Sequence, residues 1–243
     1  MGVPAMASDE ERLPDKASVA SNVDAFLAKL AATPNVRPSS QRGRLIFALD
    51  ATASRQPMWD HAAQIQGEMF LATAALGGRE LQLCFYRGFG EFKVSPWLSR
   101  SQDLVRLMTS VSCRAGETQI SKVLSHAANE TKRRKVSALV FVGDCAEENV
   151  DRLGALAGEL GVHGVAAFMF HEGHDPRAAF VFKQIAKLSG GAYCRFDAGS
   201  ADALKELLRA VAVFAAGGRQ ALEDFASRSK GEVLQIARQM EGR

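Results

Sequence analysis

Residues Leu45-Ile46-Phe47-Ala48-Leu49 form a short apolar run that ends abruptly in a carboxylate, Asp50. Two hydroxyl residues follow at alternate positions, in Asp50-Ala51-Thr52-Ala53-Ser54. The run has the length and composition of a buried parallel strand, with a turn at Arg42-Gly43-Arg44 before it. Asp50 is then expected at the strand's carboxyl end, the edge where open α/β sheets place their ligands. A carboxylate followed by two hydroxyls is a set of hard oxygen donors, suited to Mg²⁺, Mn²⁺ or Ca²⁺. Taken alone, the same residues are more often turn and helix-capping positions, Ser54 among them.

Downstream, the pattern repeats. Val136 to Val142 is a second apolar run, and Gly143-Asp144 ends it in another aspartate. Between the two lie expected strands Leu81–Tyr86 and Glu91–Val94, joined through Gly88-Phe89-Gly90 as a hairpin. Helices are expected at Gln102–Thr109 and Ile120–Thr131, the second entered through the loop Gly116-Glu117-Thr118. After Asp144 the pattern gives helix Val150–Leu160, strand Val162–Phe170, and a polar loop His171-Glu172-Gly173-His174-Asp175-Pro176. Helix Ala178–Leu188, strand Ala192–Phe196 and helix Ala201–Ala215 complete it. Helix Val19–Leu30 and a helix from Pro57 to Leu76 are read from apolar spacing. Strands alternating with helices predict an α/β fold, with a mostly parallel sheet, one antiparallel edge strand and helices on both faces. The expected boundaries are 1–41 for an N-terminal tail, helix and linker, 42–218 for the main domain, and 219–243 for a helical tail. The terminal helices are open to docking on the domain or to dimerisation.

The 47% hydrophobic and 23% charged content suits a globular core. Thirty basic residues against 27 acidic ones give +3, too balanced to imply nucleic acid or membrane as a partner. Lys132-Arg133-Arg134-Lys135, the densest basic cluster, reads as a solvated helix end. The four cysteines show no CxxC or zinc-type spacing, and no apolar leader or membrane-length run occurs, so a cytoplasmic location is expected.

Three loops thus bring oxygen donors to strand ends or helix starts: Asp50 to Ser54, Gly116 to Thr118, and Gly143-Asp144. This arrangement resembles the von Willebrand factor A (vWA) fold, a Rossmann-like architecture, and its metal-ion-dependent adhesion site (MIDAS). That motif is Asp-x-Ser-x-Ser, then a distant threonine, then an aspartate after the fourth strand. Ser54, Thr118 and Asp144 match it directly. Thr52 stands where the motif has its first serine, keeping the hydroxyl and adding a methyl. The resemblance implies that Asp50, Thr52, Ser54, Thr118 and Asp144 hold Mg²⁺, with Mn²⁺ or Ca²⁺ as alternatives. It further implies a binding module that captures an Asp or Glu of a partner protein on the metal's open position, in some relatives as an adaptor of an ATPase or assembly machine.

Two competing classes remain. An enzyme could use Asp50 as a nucleophile for hydrolysis or phosphotransfer, but the aspartyl phosphotransfer pattern wants a second aspartate where Thr52 stands. The chain has no Ser-His-Asp set, Walker loop or dinucleotide fingerprint, so a non-enzymatic role is expected. The other class is a vWA scaffold without metal function. His171, Glu172 and His174, expected on the rim beside the Asp144 strand, are candidate partner contacts. Glu147 and Glu148 are expected to favour the N-terminus of the next helix. Cys145 reads as a structural thiol, and Trp59 as a core residue.

Overall fold

A computed structural model describes residues 43–56 and 80–196, together with residues 209–211, 213–215, 221, 224, 239 and 240. The expected helices Val19–Leu30 and Pro57–Leu76 lie outside the described residues, as does most of Ala201–Ala215.

Strands β1 (Arg44–Asp50), β2 (Glu80–Arg87), β3 (Glu91–Val94), β4 (Ala138–Gly143), β5 (Ala166–Glu172) and β6 (Ala192–Phe196) form one sheet in the order β3-β2-β1-β4-β5-β6. All neighbours are parallel except the β2–β3 hairpin at the edge. Helices α1 (Ser101–Thr109), α2 (Ile120–Arg133), α3 (Val150–Val162) and α4 (Pro176–Ser189) connect the strands.

The near-continuous apolar runs of β1 and β4 follow from burial on both faces. On one face Phe47, Leu49, Val140, Val142, Phe168 and Phe170 pack against Leu104 and Met108 of α1. On the other, Ile46, Ala48, Leu139, Phe141 and Met169 meet Val123, Leu124, Leu153 and Phe182 of α2, α3 and α4. The alternation obeys the two-residue period of a strand.

Two described residues of the C-terminal stretch, Gln239 and Met240, meet this body. Met240 is buried in the first cluster. The Gln239 side-chain amide donates to the Tyr193 carbonyl at 2.9 Å and accepts from the Tyr193 N–H at 2.7 Å. It thereby satisfies backbone groups that an edge strand otherwise leaves bare.

Two expectations shift at β5. Its predicted start at Val162 is instead the end of α3, with Gly164 at φ +65° turning the chain before the strand begins at Ala166. Its predicted end at Phe170 moves out to Glu172. The ladder continues because Gly143 pairs His171 on one side, and Arg195 and Phe196 pair His171 and Glu172 on the other.

The basic cluster at the end of α2 is paired within the chain. Lys132 meets Glu159, Arg133 meets Glu130 and Arg134 meets Glu80, while Lys135 donates to the carbonyls of His163 and Gly164.

One histidine of α2 makes stability depend on pH. His126 shares a 2.8 Å hydrogen bond with Gln82 of β2 and meets the Phe92 ring edge-on. Burial holds its imidazole below the ordinary range, against the pull of Glu130 and with help from Arg133 and Arg44. The unfolded chain takes up that proton near pH 6.5 and the folded chain resists it. This contribution is therefore complete above about pH 6.5 and is lost as pH falls through the lower folded value. Urea midpoints should drop between pH 7.5 and 5.5, and His126→Gln should flatten part of that drop. An unchanged slope in the variant would exclude the assignment.

Candidate functional site

The sheet order reverses between β2-β1 and β4-β5, so the carboxyl ends of β1 and β4 flank the topological switch point. Asp50 closes β1 there, and Asp144 follows the last residue of β4. No room separates the two strand ends. A side chain at Gly143 would lie 2.8 Å from the Phe141 ring and 3.3 Å from the Asp50 Cβ.

Asp50 is fully buried, and both its oxygens are engaged. Oδ1 accepts from the Thr52 N–H at 2.8 Å and from the Thr52 hydroxyl at 2.6 Å, while Oδ2 accepts from the Tyr86 hydroxyl at 2.9 Å. Thr52 Oγ1 lies 3.1 Å from Ser54 Oγ, so carboxylate and two hydroxyls form one continuous row of oxygens. A single 3₁₀ turn, Ala53–Arg55, sets that row and leaves Ser54 exposed at its outer end. Burial pushes the Asp50 carboxyl above the usual range. The Thr52 hydrogen bonds and the Arg55 charge oppose that push, and Asp144 adds to it.

Thr118 and Asp144 come from the neighbouring loops. Thr118 Oγ1 accepts from the Glu147 N–H at 3.1 Å, and the Thr118 N–H donates to Glu147 Oε2 at 3.1 Å. Glu148 accepts from the N–H groups of Ile120 and Ser121. This corrects the expected role of the two glutamates. They serve the start of α2, which has no cap of its own, and α3 is capped by Asn149, whose side chain accepts from Arg152 N–H. The segment after Asp144 is thereby laced to the one carrying Thr118.

Asp144 Oδ1 is buried and has no hydrogen-bond partner. An orphaned carboxylate oxygen is costly unless a cation or water meets it. Among the described residues no group of three His, Cys, Asp or Glu side chains forms a metal cluster. The donors expected here differ in kind: two carboxylates completed by hydroxyls, which suits a hard divalent ion. The row Asp50–Thr52–Ser54 and the orphaned Asp144 oxygen fit such an ion.

Two residues escaped the sequence reading. Tyr86 pairs with Asp50 in the β1–β2 register and reaches its carboxylate from the adjacent strand. Its hydroxyl is held well above the ordinary tyrosine range by burial and then by the Asp50 charge, so it stays a proton donor. Arg55, 1% exposed, donates to the Asp50 carbonyl at 2.7 Å and to Glu172 Oε2 at 2.7 Å.

The expected rim residues divide. His171 and Glu172 are buried at the end of β5 rather than in a solvated loop, because the strand ladder continues through them. His171 Nδ1 meets the Tyr193 hydroxyl at 3.0 Å, and its ring packs edge-on to Phe182. Glu172 is the partner of Arg55. Only His174 is exposed, next to Asp175, which caps α4. Cys145 is half-buried, and its thiol is pushed up by burial and by the charges of Glu147, Asp144 and Asp175. That is the opposite of an activated nucleophile.

The sequence matches no protein-family profile and no curated protein. The fold does match solved structures. The VWA domain of SpRpn10 aligns with a TM-score of 0.54 at 12% identity, over 64% of this chain and 88% of that one. Proximal thread matrix protein 1 from the mussel byssus, with a zinc-occupied MIDAS motif, aligns with a TM-score of 0.57 at 13% identity, over 73% of this chain and 47% of that one. The PilB minor pilin from Streptococcus sanguinis aligns with a TM-score of 0.55 at 8% identity, over 72% of this chain and 62% of that one. The chain spans less than two thirds of the length of the latter two. The described domain has the vWA fold: a six-stranded, mostly parallel sheet with one antiparallel edge strand and helices around it. Among the described residues no helix is long and apolar enough to cross a membrane.

Proposed function

We propose that this vWA-fold protein is a metal-dependent binding module that captures an acidic side chain of a partner protein. Asp50, Thr52, Ser54, Thr118 and Asp144 would hold the divalent cation, Mg²⁺ by preference, with Mn²⁺ or Ca²⁺ as alternatives. A cation bound there supplies a Lewis-acidic position that two carboxylates leave under-neutralised, to which an incoming Asp or Glu can bind. The observation that carries the reading is the buried, partnerless Asp144 oxygen at the switch point beside Asp50. The zinc-occupied MIDAS motif of the mussel thread protein lends support by analogy of fold.

The chain's own residues favour holding over turnover. Both Asp50 oxygens are occupied by the Thr52 and Tyr86 donors, and the carboxylate is fully buried, so it is not presented for nucleophilic attack. A general base must reach the proton it abstracts. Among the described residues, the histidine at this sheet edge, His171, is buried, turned to Tyr193 through Nδ1, and held below its ordinary pKa range by burial. All four cysteines are thiols, which is consistent with the reducing, cytoplasmic setting we assign.

The test is titration of Mg²⁺ and Mn²⁺ into chelator-treated full-length protein by calorimetry, beside a Ser54→Ala, Asp144→Ala double variant. Saturable binding at one site in the wild type, lost in the variant, is expected. Equal heats from both proteins would remove the metal site and leave a vWA scaffold.

A further inference from the structure

At the tip of the β2–β3 hairpin Phe89 is 83% exposed, the most exposed aromatic side chain among the described residues. Solvent exposure of a phenyl ring is unremarkable on a loose loop, but this tip is pinned. Gly88 and Gly90 take φ +60° and +106°, conformations that glycine reaches without the steric cost an L side chain would meet, and the contacts below hold them there. The Gly88 carbonyl accepts from the Gln119 side-chain amide at 3.3 Å and from the Glu117 N–H at 3.4 Å. Lys122 Nζ donates to the Gly90 carbonyl at 2.9 Å and to the Gln119 side chain at 2.7 Å. Gly116 packs so closely on Gly88 that a Cβ there would collide with the Gly88 backbone.

All of these contacts come from the segment that carries Thr118. The hairpin tip and the metal-site loop are one rigid platform. Phe89 lies three residues beyond Tyr86, whose hydroxyl reaches Asp50, so its backbone stands within about 11 Å of the Tyr86 backbone. Lys93 and Lys122 are exposed beside the tip. Arg87 and Arg114 pair with Glu91, while Glu147 and Glu148 are turned to the backbone N–H groups of Thr118, Ile120 and Ser121.

We propose that Phe89 is a second contact point of the metal site, an apolar anchor for a protein segment that carries an acidic residue and, within about four residues of it in extended form, a large apolar one. This inference rests on the metal-dependent reading above and names the partner's chemistry. A held aromatic lowers the entropic cost of docking, and the exposed Lys93 and Lys122, with the cation at the metal site, favour an acidic segment. The hydrogen bonds from residues 117–122 hold the tip backbone against the Thr118 segment.

Peptide display tests it. Random dodecamers with one fixed central Glu are selected in Mg²⁺ on immobilised full-length protein, on Phe89→Ser and on Ser54→Ala, Asp144→Ala. The wild type should enrich peptides with a Leu, Ile, Met, Phe or Trp at one constant offset from the Glu. Phe89→Ser, with unchanged melting temperature and unchanged Mg²⁺ titration, should lose the offset preference and bind the wild-type-selected peptide roughly tenfold more weakly. An offset preference that survives in Phe89→Ser, or a wild type that enriches nothing, overturns the proposal. The metal reading fails separately: the wild type then takes up no Mg²⁺, and the double variant retains the selected peptides.

Discussion

Replacing Arg55 with alanine should cost about 3–5 kcal/mol of folding stability, the largest loss expected from any single polar substitution near the site. The guanidinium is 1% exposed and spans the carboxyl edge of the sheet, from the Asp50 carbonyl at the end of β1 to Glu172 at the end of β5. β4 lies between those strands, so the side chain acts as a strap over the switch point. Truncation leaves the Glu172 carboxylate buried without its cation and the Asp50 carbonyl without that donor. Water cannot restore either at full value in a packed interior. For a domain of this size the melting temperature should fall by about 6–20 °C. Arg55→Leu with Glu172→Leu should recover most of the loss, because removing both charges avoids the uncompensated one. Urea unfolding of the three proteins measures the difference. A loss below about 1 kcal/mol in Arg55→Ala would mean that the pair is hydrated in solution, as surface pairs are.

The strap was not visible in the sequence, and its invisibility has a physical cause. An arginine in a loop after a strand is by default a solvated residue, and nothing in the local pattern reveals a carboxylate 117 positions away. Tyr86 was hidden for a related reason. Its role depends on the register that sets it beside Asp50, and register between parallel strands is a property of the pair, not of either sequence. What could be read was whatever a strand writes locally. The apolar runs ending in Asp50 and Asp144 marked strand ends, and the Gly88-Phe89-Gly90 turn marked the hairpin, because two-face burial and positive φ leave direct traces in residue type. The end of β5 went astray because His171 and Glu172 look like loop residues, although the ladder on both sides carries the strand through them. Glu147 and Glu148 lie just before α3 in the chain and against α2 in space, so proximity in sequence assigned them to the wrong helix.

Asp50→Asn should separate the fold from the proposed ion binding, with effects of opposite sign. In the metal-free protein the Asp50 carboxylate is a buried anion, and burial holds its pKa above the unfolded value. At neutral pH it therefore opposes folding, and the opposition fades as pH falls through the raised folded value toward the unfolded value near 4. Asparagine keeps the shape and the Oδ1 acceptor for Thr52, and its Nδ2 can donate to the Tyr86 oxygen once that hydroxyl turns its proton elsewhere. The variant should thus be more stable than the wild type without metal by about 0.5–2 kcal/mol at pH 7, with the gap closing near pH 4. Its Mg²⁺ affinity should fall roughly 100-fold or more, because a carboxylate in the oxygen row is gone and its neighbours lose their orientation. Saturating Mg²⁺ should then raise the melting temperature of the wild type and leave the variant where it was. Stability given up to keep a charge where only a cation can use it is the mark of a binding site rather than a packing solution. Thermal melts of both proteins, in chelator and in Mg²⁺, decide the point: a variant less stable than wild type in chelator, or one that still responds to Mg²⁺, would show that Asp50 is there for the fold and not for the ion.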